Sequence, residues 1–176
     1  MRLDELQRHA TNVAVAARLL AEGTPHAEDA WAGGLLHDVG YWILARERQS
    51  ELLRCLQSAA VEGLPLHEAE MRVLGASHAQ LGAYVLGIWG LPTPVVEAVA
   101  YHHAPEYGEQ SRFGPLAAVA IAQSLCGTDD AEIFNGRSGA VPGIDAGYLK
   151  SVNAPFDWTE AARRVKAGCR SLETQS

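Results

Sequence analysis

His9, His37, Asp38, His78, His102 and His103 follow one another in an order that could assemble a metal centre, with Glu5 one helical turn before the first. Imidazole and carboxylate suit zinc, iron and manganese, and a catalytic centre keeps one coordination position open for water. The chain has seven histidines, of which five belong to this pattern. His26 and His67 lie beside proline or turn residues, outside it, and receive no role. Glu5 and His9 stand at i and i+4, so they share a helix face and could both approach one ion. His37 and Asp38 are adjacent and on a helix point about 100° apart. A pocket between those two directions would admit both, and the two oxygens of Asp38 could bridge two ions. Val95, Val99 and His103 step by four along one face with His102 beside it, so the pair extends the buried side of its helix. Each residue also has a blander reading: His78 as a cap or surface group, the histidine pair as half-exposed hydrogen-bonded rings, Glu5 as a solvated charge.

These residues need helices to position them. Leu3, Leu6, Ala10, Val13, Ala17 and Leu20 step by three and four, which predicts an amphipathic helix over 3–21 ended by Gly23 and Pro25. A second helical stretch, about 27–48, is expected to break or bend near Gly40, just after His37 and Asp38. Further helices are predicted at about 51–60, 65–74, 79–89, 94–103 and 115–126, with Gly63-Leu64-Pro65 and Gly90-Leu91-Pro92 as turns. No segment alternates with the period of two that a sheet requires, so the fold class is all-α. Residues 127–147, with Asp129-Asp130, five glycines and Pro142, read as a long loop or partly helical excursion. A final amphipathic helix, about 158–172, is expected to pack back on the bundle.

At 176 residues and 48% hydrophobic content, the chain suits one domain spanning 1–176 with a sizeable core. A net charge of -7 gives no electrostatic footprint for a nucleic-acid polymer or an anionic membrane surface. Cys55, Cys126 and Cys169 are few, widely separated and odd in number, with no CxxC pair, so neither a disulfide framework nor a thiolate zinc knuckle is indicated. Reduced thiols, the lack of an apolar signal core after Met1 and the lack of a membrane-length apolar run lead us to expect a cytoplasmic location.

Read together, the motifs resemble a known family. Residues 32–40, Ala-Gly-Gly-Leu-Leu-His-Asp-Val-Gly, resemble the signature of the HD superfamily of metal-dependent phosphohydrolases. Ser77-His78-Ala79, Leu81-Gly82-Ala83-Tyr84, Trp89-Gly90-Leu91-Pro92 and Tyr101-His102-His103 are similar specifically to the HDOD branch and its relatives in bacterial response regulators. The resemblance covers about residues 3–126, with a weaker echo in the C-terminal helix. It implies an HD-type helical bundle with a central metal-binding pocket. It further implies His9, His37 and Asp38 as ligands of a first metal, and His78, His102 and His103 as ligands of a second. Glu5 matches an additional ligand position found in some cyclic di-GMP hydrolases. Two departures stand out. Gln123 occupies the place of the family's closing aspartate, and brings no negative charge to offset a cation. Tyr41 occupies the place where active relatives carry a phosphate-contacting lysine.

Two functions of different class follow. The first is a bacterial signal-transduction module of the HDOD type, regulatory rather than strongly catalytic, holding one or two divalent ions (iron, manganese or zinc) and working with a signalling-protein or receiver-domain partner. The second is a metal-dependent phosphohydrolase acting on a nucleotide or other phosphate ester, cyclic di-GMP among the candidates, with Asp38 and Glu5 as the catalytic candidates. A third reading is a degenerate pocket without an ion, held by packing and hydrogen bonds. Gln123 and Tyr41 incline the balance toward the regulatory module, and five histidines kept in order toward a metal.

Overall fold

The computed structural model describes residues 3–109, 112–126 and 144–173, and among them every regular element is helical. The first helix, α1 (Leu3–Leu20), buries Leu6, Ala10, Val13, Ala17 and Leu20, the stripe that its periodicity predicts. It packs against α2 (Ala27–Leu36), α8 (Pro115–Cys126) and α10 (Trp158–Glu173). Pro115 and every residue from Leu116 to Ala122 are buried, so α8 is apolar all round and runs through the interior. Alanines dominate these contacts because small side chains let helix backbones approach. A Cβ on Gly34 would lie 2.7 Å from the Cα of Ala14, so α1 and α2 touch there backbone to backbone.

A second layer carries the remaining helices. The helix α3 (Val39–Glu47) packs on α4 (Gln49–Glu62) and α6 (His78–Ile88), α5 (Leu66–Leu74) pairs with α4, and α7 (Thr93–Tyr101) lies against α2, α6 and α8. Leu6, Tyr41, Leu44 and Leu52 form one small core here, and Ala83, Leu86 and Val99 another. A turn of 3₁₀ helix, Pro105–Tyr107, follows α7.

The structure moves three of the expected boundaries. The break in the second helical stretch falls at His37-Asp38 themselves rather than at Gly40, with Asp38 at φ -100 and ψ 13. This is the sparsely populated bridge region of backbone space, so the two side chains are not related by the helical 100° step. Gly40 lies inside α3 and serves close approach instead: a Cβ there would overlap the carbonyl oxygen of His78. His102 and His103 stand just beyond the last residue of α7 instead of within it. Of the loop expected over 127–147, residues 127–143 lie outside the described residues. Ala146 and Gly147 open a short helix, α9 (Ala146–Ser151), whose N-cap Asp145 accepts a bond from Tyr148 N at 2.8 Å.

The contact at Gly40 brings α3 against α6 and thereby Tyr41 against His78. Gly40→Ala should lower stability by about 1–3 kcal/mol, the usual cost of overpacking, read as a lower urea midpoint. A midpoint equal to that of the parent protein would show that the two helices can separate without cost.

Candidate metal centre

The site lies where the C-terminal ends of α2 and α7 meet the N-terminal ends of α3 and α6. Helix ends carry unsatisfied backbone groups, and two of them orient a ligand. His37 is the C-cap of α2, and its Nδ1 donates to Gly34 O at 2.6 Å; His102 is the C-cap of α7, and its Nδ1 donates to Val99 O at 2.8 Å. A carbonyl oxygen can only accept, so each ring carries its proton on Nδ1 and presents the Nε2 lone pair inward. The negative ends of the α2 and α7 dipoles face the site, and the positive ends of α3 and α6 offset them, so the charge balance rests on the side chains.

His78 is held by different means. A capping box starts α6, with Gln80 N donating to Ser77 Oγ at 3.3 Å and Ser77 N donating to Gln80 Oε1 at 3.2 Å. This places His78 at the first position of the helix. Its backbone N and its Nδ1 both donate to Glu70 Oε2, each at 2.7 Å. Both residues are fully buried. Glu70, from α5, is therefore a partner the sequence reading did not include. The signal was present: Leu66, Ala69, Val73 and Leu74 form an apolar stripe in which Glu70 occupies an i+4 place. Three residues earlier on α5, His67 stacks on His103, ring centroids 4.2 Å apart and planes 13° apart. One helix thus grips two of the candidate ligands from outside.

Asp38 is the hub. Its Oδ2 lies 3.2 Å from His37 Nε2, and its Oδ1 lies 3.3 Å from His78 Nε2 and 3.9 Å from His102 Nε2. His103 Nε2 is 3.1 Å from His78 Nε2. Two groups of three ligand atoms, His9-His37-Asp38 and His78-His102-His103, each fall within 4.8 Å of one another. Asp38 and four of the five imidazoles are the residues sequence order drew together, with the half-buried His9 completing the set. Glu5 is exposed and belongs to neither group.

Electrostatics show what the cluster lacks. Burial opposes ionisation of Asp38, but the neighbouring His37 and His78 outweigh it and hold the carboxyl well below its usual range. Burial disfavours the charged form of His78 too, yet the Asp38 and Glu70 carboxylates overcome it and raise its pKa. Burial first, and the neighbouring imidazoles second, push His102 well below its ordinary value and His103 down to about 3. Two buried carboxylates therefore face a ring of mostly uncharged imidazoles. His37 Nε2 and His102 Nε2 are buried without a hydrogen-bond partner, an arrangement that normally costs about 1–3 kcal/mol per group. Lone pairs converging on a carboxylate, each ring anchored through its other nitrogen, fit a divalent cation and satisfy no network of hydrogen bonds alone. The donor set fits zinc, iron or manganese.

Tyr41 and Gln123 behave differently. The Tyr41 ring is buried and stacks on His78 with centroids 3.9 Å apart. Burial, reinforced by Glu70 and Asp38, raises the pKa of its hydroxyl, so Tyr41 closes one wall of the site as a neutral group. Gln123, on α8, is half-buried, and its Oε1 is buried without a hydrogen-bond partner.

Two outcomes follow for the protein in solution. Glu70→Gln removes the charge behind His78 while keeping its shape, and should weaken metal binding roughly 10–100-fold, measured by competition with a chromogenic chelator. Unchanged affinity would leave Glu70 a purely structural role. In metal-free protein, His9, His102 and His103 have lowered pKa values and bind protons more readily once unfolded. Stability should therefore fall as pH drops below about 6.5 toward 3; His78, whose pKa is raised, acts in the other direction only above about 6.5, where its stabilisation is lost as pH rises. Urea midpoints across that range, with and without bound metal, measure the effect; metal should steepen its upper part, because imidazoles held by an ion cannot take up the protons that the unfolded chain binds.

Comparison with known proteins agrees with this fold. The HDOD domain family model matches residues 1–105. A solved HDOD domain protein of unknown function from Geobacter sulfurreducens superposes with a TM-score of 0.74 at 24% identity, covering 97% of this chain and 59% of that one. A candidate phosphohydrolase from Shewanella amazonensis SB2B superposes with a TM-score of 0.74 at 20% identity, covering 96% of this chain and 62% of that one. An uncharacterized protein of Treponema pallidum (strain Nichols) is 26% identical over 94 residues, 53% of this chain and 18% of that protein. The chain thus spans less than two thirds of each of these relatives. With the model matching well over half of its length, the chain belongs to the HDOD domain family.

Proposed function

We propose that this HDOD domain binds one or two divalent ions, iron, manganese or zinc, and acts as a regulatory module in signal transduction rather than as a strong hydrolase. One observation carries the metal reading: Nε2 atoms of His37, His78 and His102, each anchored through Nδ1, converge on the buried Asp38 carboxylate. His9, His37 and Asp38 would hold one ion, and His78, His102 and His103 a second. Two features favour regulation. By the family resemblance Gln123 stands in place of a closing carboxylate and Tyr41 in place of a phosphate-contacting lysine, and the Tyr41 ring stacks on His78. The module would then work through a signalling-protein partner or an attached receiver domain.

The competing reading, a phosphohydrolase acting on a nucleotide or other phosphate ester such as cyclic di-GMP, draws support from the sharing of Asp38 between both ligand groups. Divalent ions held there would supply Lewis acidity toward phosphoryl oxygens and acidify a water. Asp38 would set their spacing, the three anchored imidazoles would keep their orientation, and Tyr41 would exclude solvent from one side. Glu5, the other catalytic candidate, is exposed at the start of α1, one turn before His9. Among the described residues no helix is long and apolar enough to cross a membrane, and nothing in the reading calls for one.

Elemental analysis of protein purified without chelators should find iron, manganese or zinc in near-stoichiometric amount, lost in Asp38→Ala. Absence of metal in the parent protein would sink the metal-centre reading. With manganese or iron added, hydrolysis of bis(p-nitrophenyl) phosphate or cyclic di-GMP should not exceed that of Asp38→Ala. Turnover that disappears in the variant would replace the regulatory reading with the hydrolase one.

A further inference from the structure

Far from the histidine cluster in sequence, the fold brings together two thiols that the spacing of the cysteines kept apart. Cys126 is the last residue of α8, and Cys169 lies on α10 one turn beyond Val165, on the side of that helix that also buries Ala161 and Ala162. The two positions are 43 apart in sequence, yet their Sγ atoms lie 3.8 Å apart. The Cys169 thiol also donates toward Asn12 O at 3.9 Å, so the pair sits where α1, α8 and α10 meet. Both residues are half-buried and reduced, whereas Cys55 is fully buried on α4. A disulfide needs its sulfurs at about 2.05 Å, a closure within reach of side-chain rotation and a small helix shift.

We propose that Cys126 and Cys169 form a reversible disulfide that staples the C-terminal helix α10 to the central helix α8. The oxidant is a low-molecular-weight disulfide of the glutathione class. One cysteine thiolate attacks it and forms a mixed disulfide, releasing one small thiol. The second cysteine, deprotonated, attacks the protein sulfur of that mixed disulfide and releases the other small thiol. Two protein thiols lose two protons and two electrons, and the small disulfide is reduced to two thiols. The bond would lock α10 to α8, the helix that bears Gln123, beside α1, the helix that bears His9. In a reducing compartment a bond of this kind is transient and regulatory rather than structural.

Purified full-length protein would be equilibrated in buffers of defined ratio of glutathione to its disulfide, alkylated, and mapped by mass spectrometry. Expected is the loss of two alkylatable thiols, a Cys126–Cys169 cross-linked peptide, and restoration by dithiothreitol. The cross-linked form should melt roughly 5–10 °C above the reduced form. Cys126→Ser and Cys169→Ser should each abolish both the cross-link and the shift; Cys126→Ala replaces the first if the serine variant folds poorly. Three alkylatable thiols at the most oxidising ratio, glutathione adducts that never resolve, or a cross-link through Cys55 would each overturn the proposal. A Cys126–Cys169 bond that leaves the melting temperature unchanged would overturn the stapling.

Discussion

A carboxylate removed from water must find compensating charge or give up its own, and much of this molecule is arranged around that requirement at Asp38. The residue sits in a break between α2 and α3, in a backbone conformation that neither helix would impose, with its carboxylate turned toward imidazole nitrogens. A proton on His78 compensates one charge in the absence of metal, because Asp38 and Glu70 flank that ring. It cannot compensate both carboxylates, and it leaves the Nε2 atoms of His37 and His102 without partners. A divalent cation meets the whole deficit at once, which is why the cluster reads as a metal site rather than as a buried hydrogen-bond network.

The surrounding fold turns ordinary features of helices into supports for that centre. Two C-terminal carbonyls that would otherwise need solvent fix the tautomer of His37 and His102. A capping box sets the start of α6 and so the height of His78. The backbone contact at Gly40 brings the α3 wall, with Tyr41, against that histidine. None of these supports contributes a ligand, yet each removes a rotation that a ligand would otherwise have to lose on binding. The ordering cost is met during folding by the apolar core around α8, so the cluster is held in place by the fold itself.

Legibility differed sharply between parts of the chain. The stripe of α1 was readable because only one of its faces is apolar, and its helical period is unambiguous. The second helical stretch was readable as helix but not in its interruption, since Gly40 looked like the breaker while its actual task is to admit a neighbouring backbone. His78 viewed alone resembled a surface cap, and the packing of α3, α5 and the end of α7 around the start of α6 buries it. Glu70 went unread although a carboxylate within an apolar stripe was there to be noticed; what it bonds to lies eight residues away across a turn. Glu5 is exposed although it stands four residues before His9, because i, i+4 spacing places side chains near one another without ensuring that both are buried.

By itself the sequence determined the helical class and the family, and it nominated the candidate ligands. These depend on local periodicity and on residue types in a set order, both written directly in the chain. The tertiary structure decided the rest: which nitrogen of each imidazole faces inward, that Glu70 stands behind His78 and His67 beside His103, that Tyr41 is a wall, and that two distant thiols are neighbours. Each of these is a relation between elements remote in sequence. Such relations are settled by how helix surfaces pack, and the spacing of residues along one helix holds no record of which other helix will lie against it.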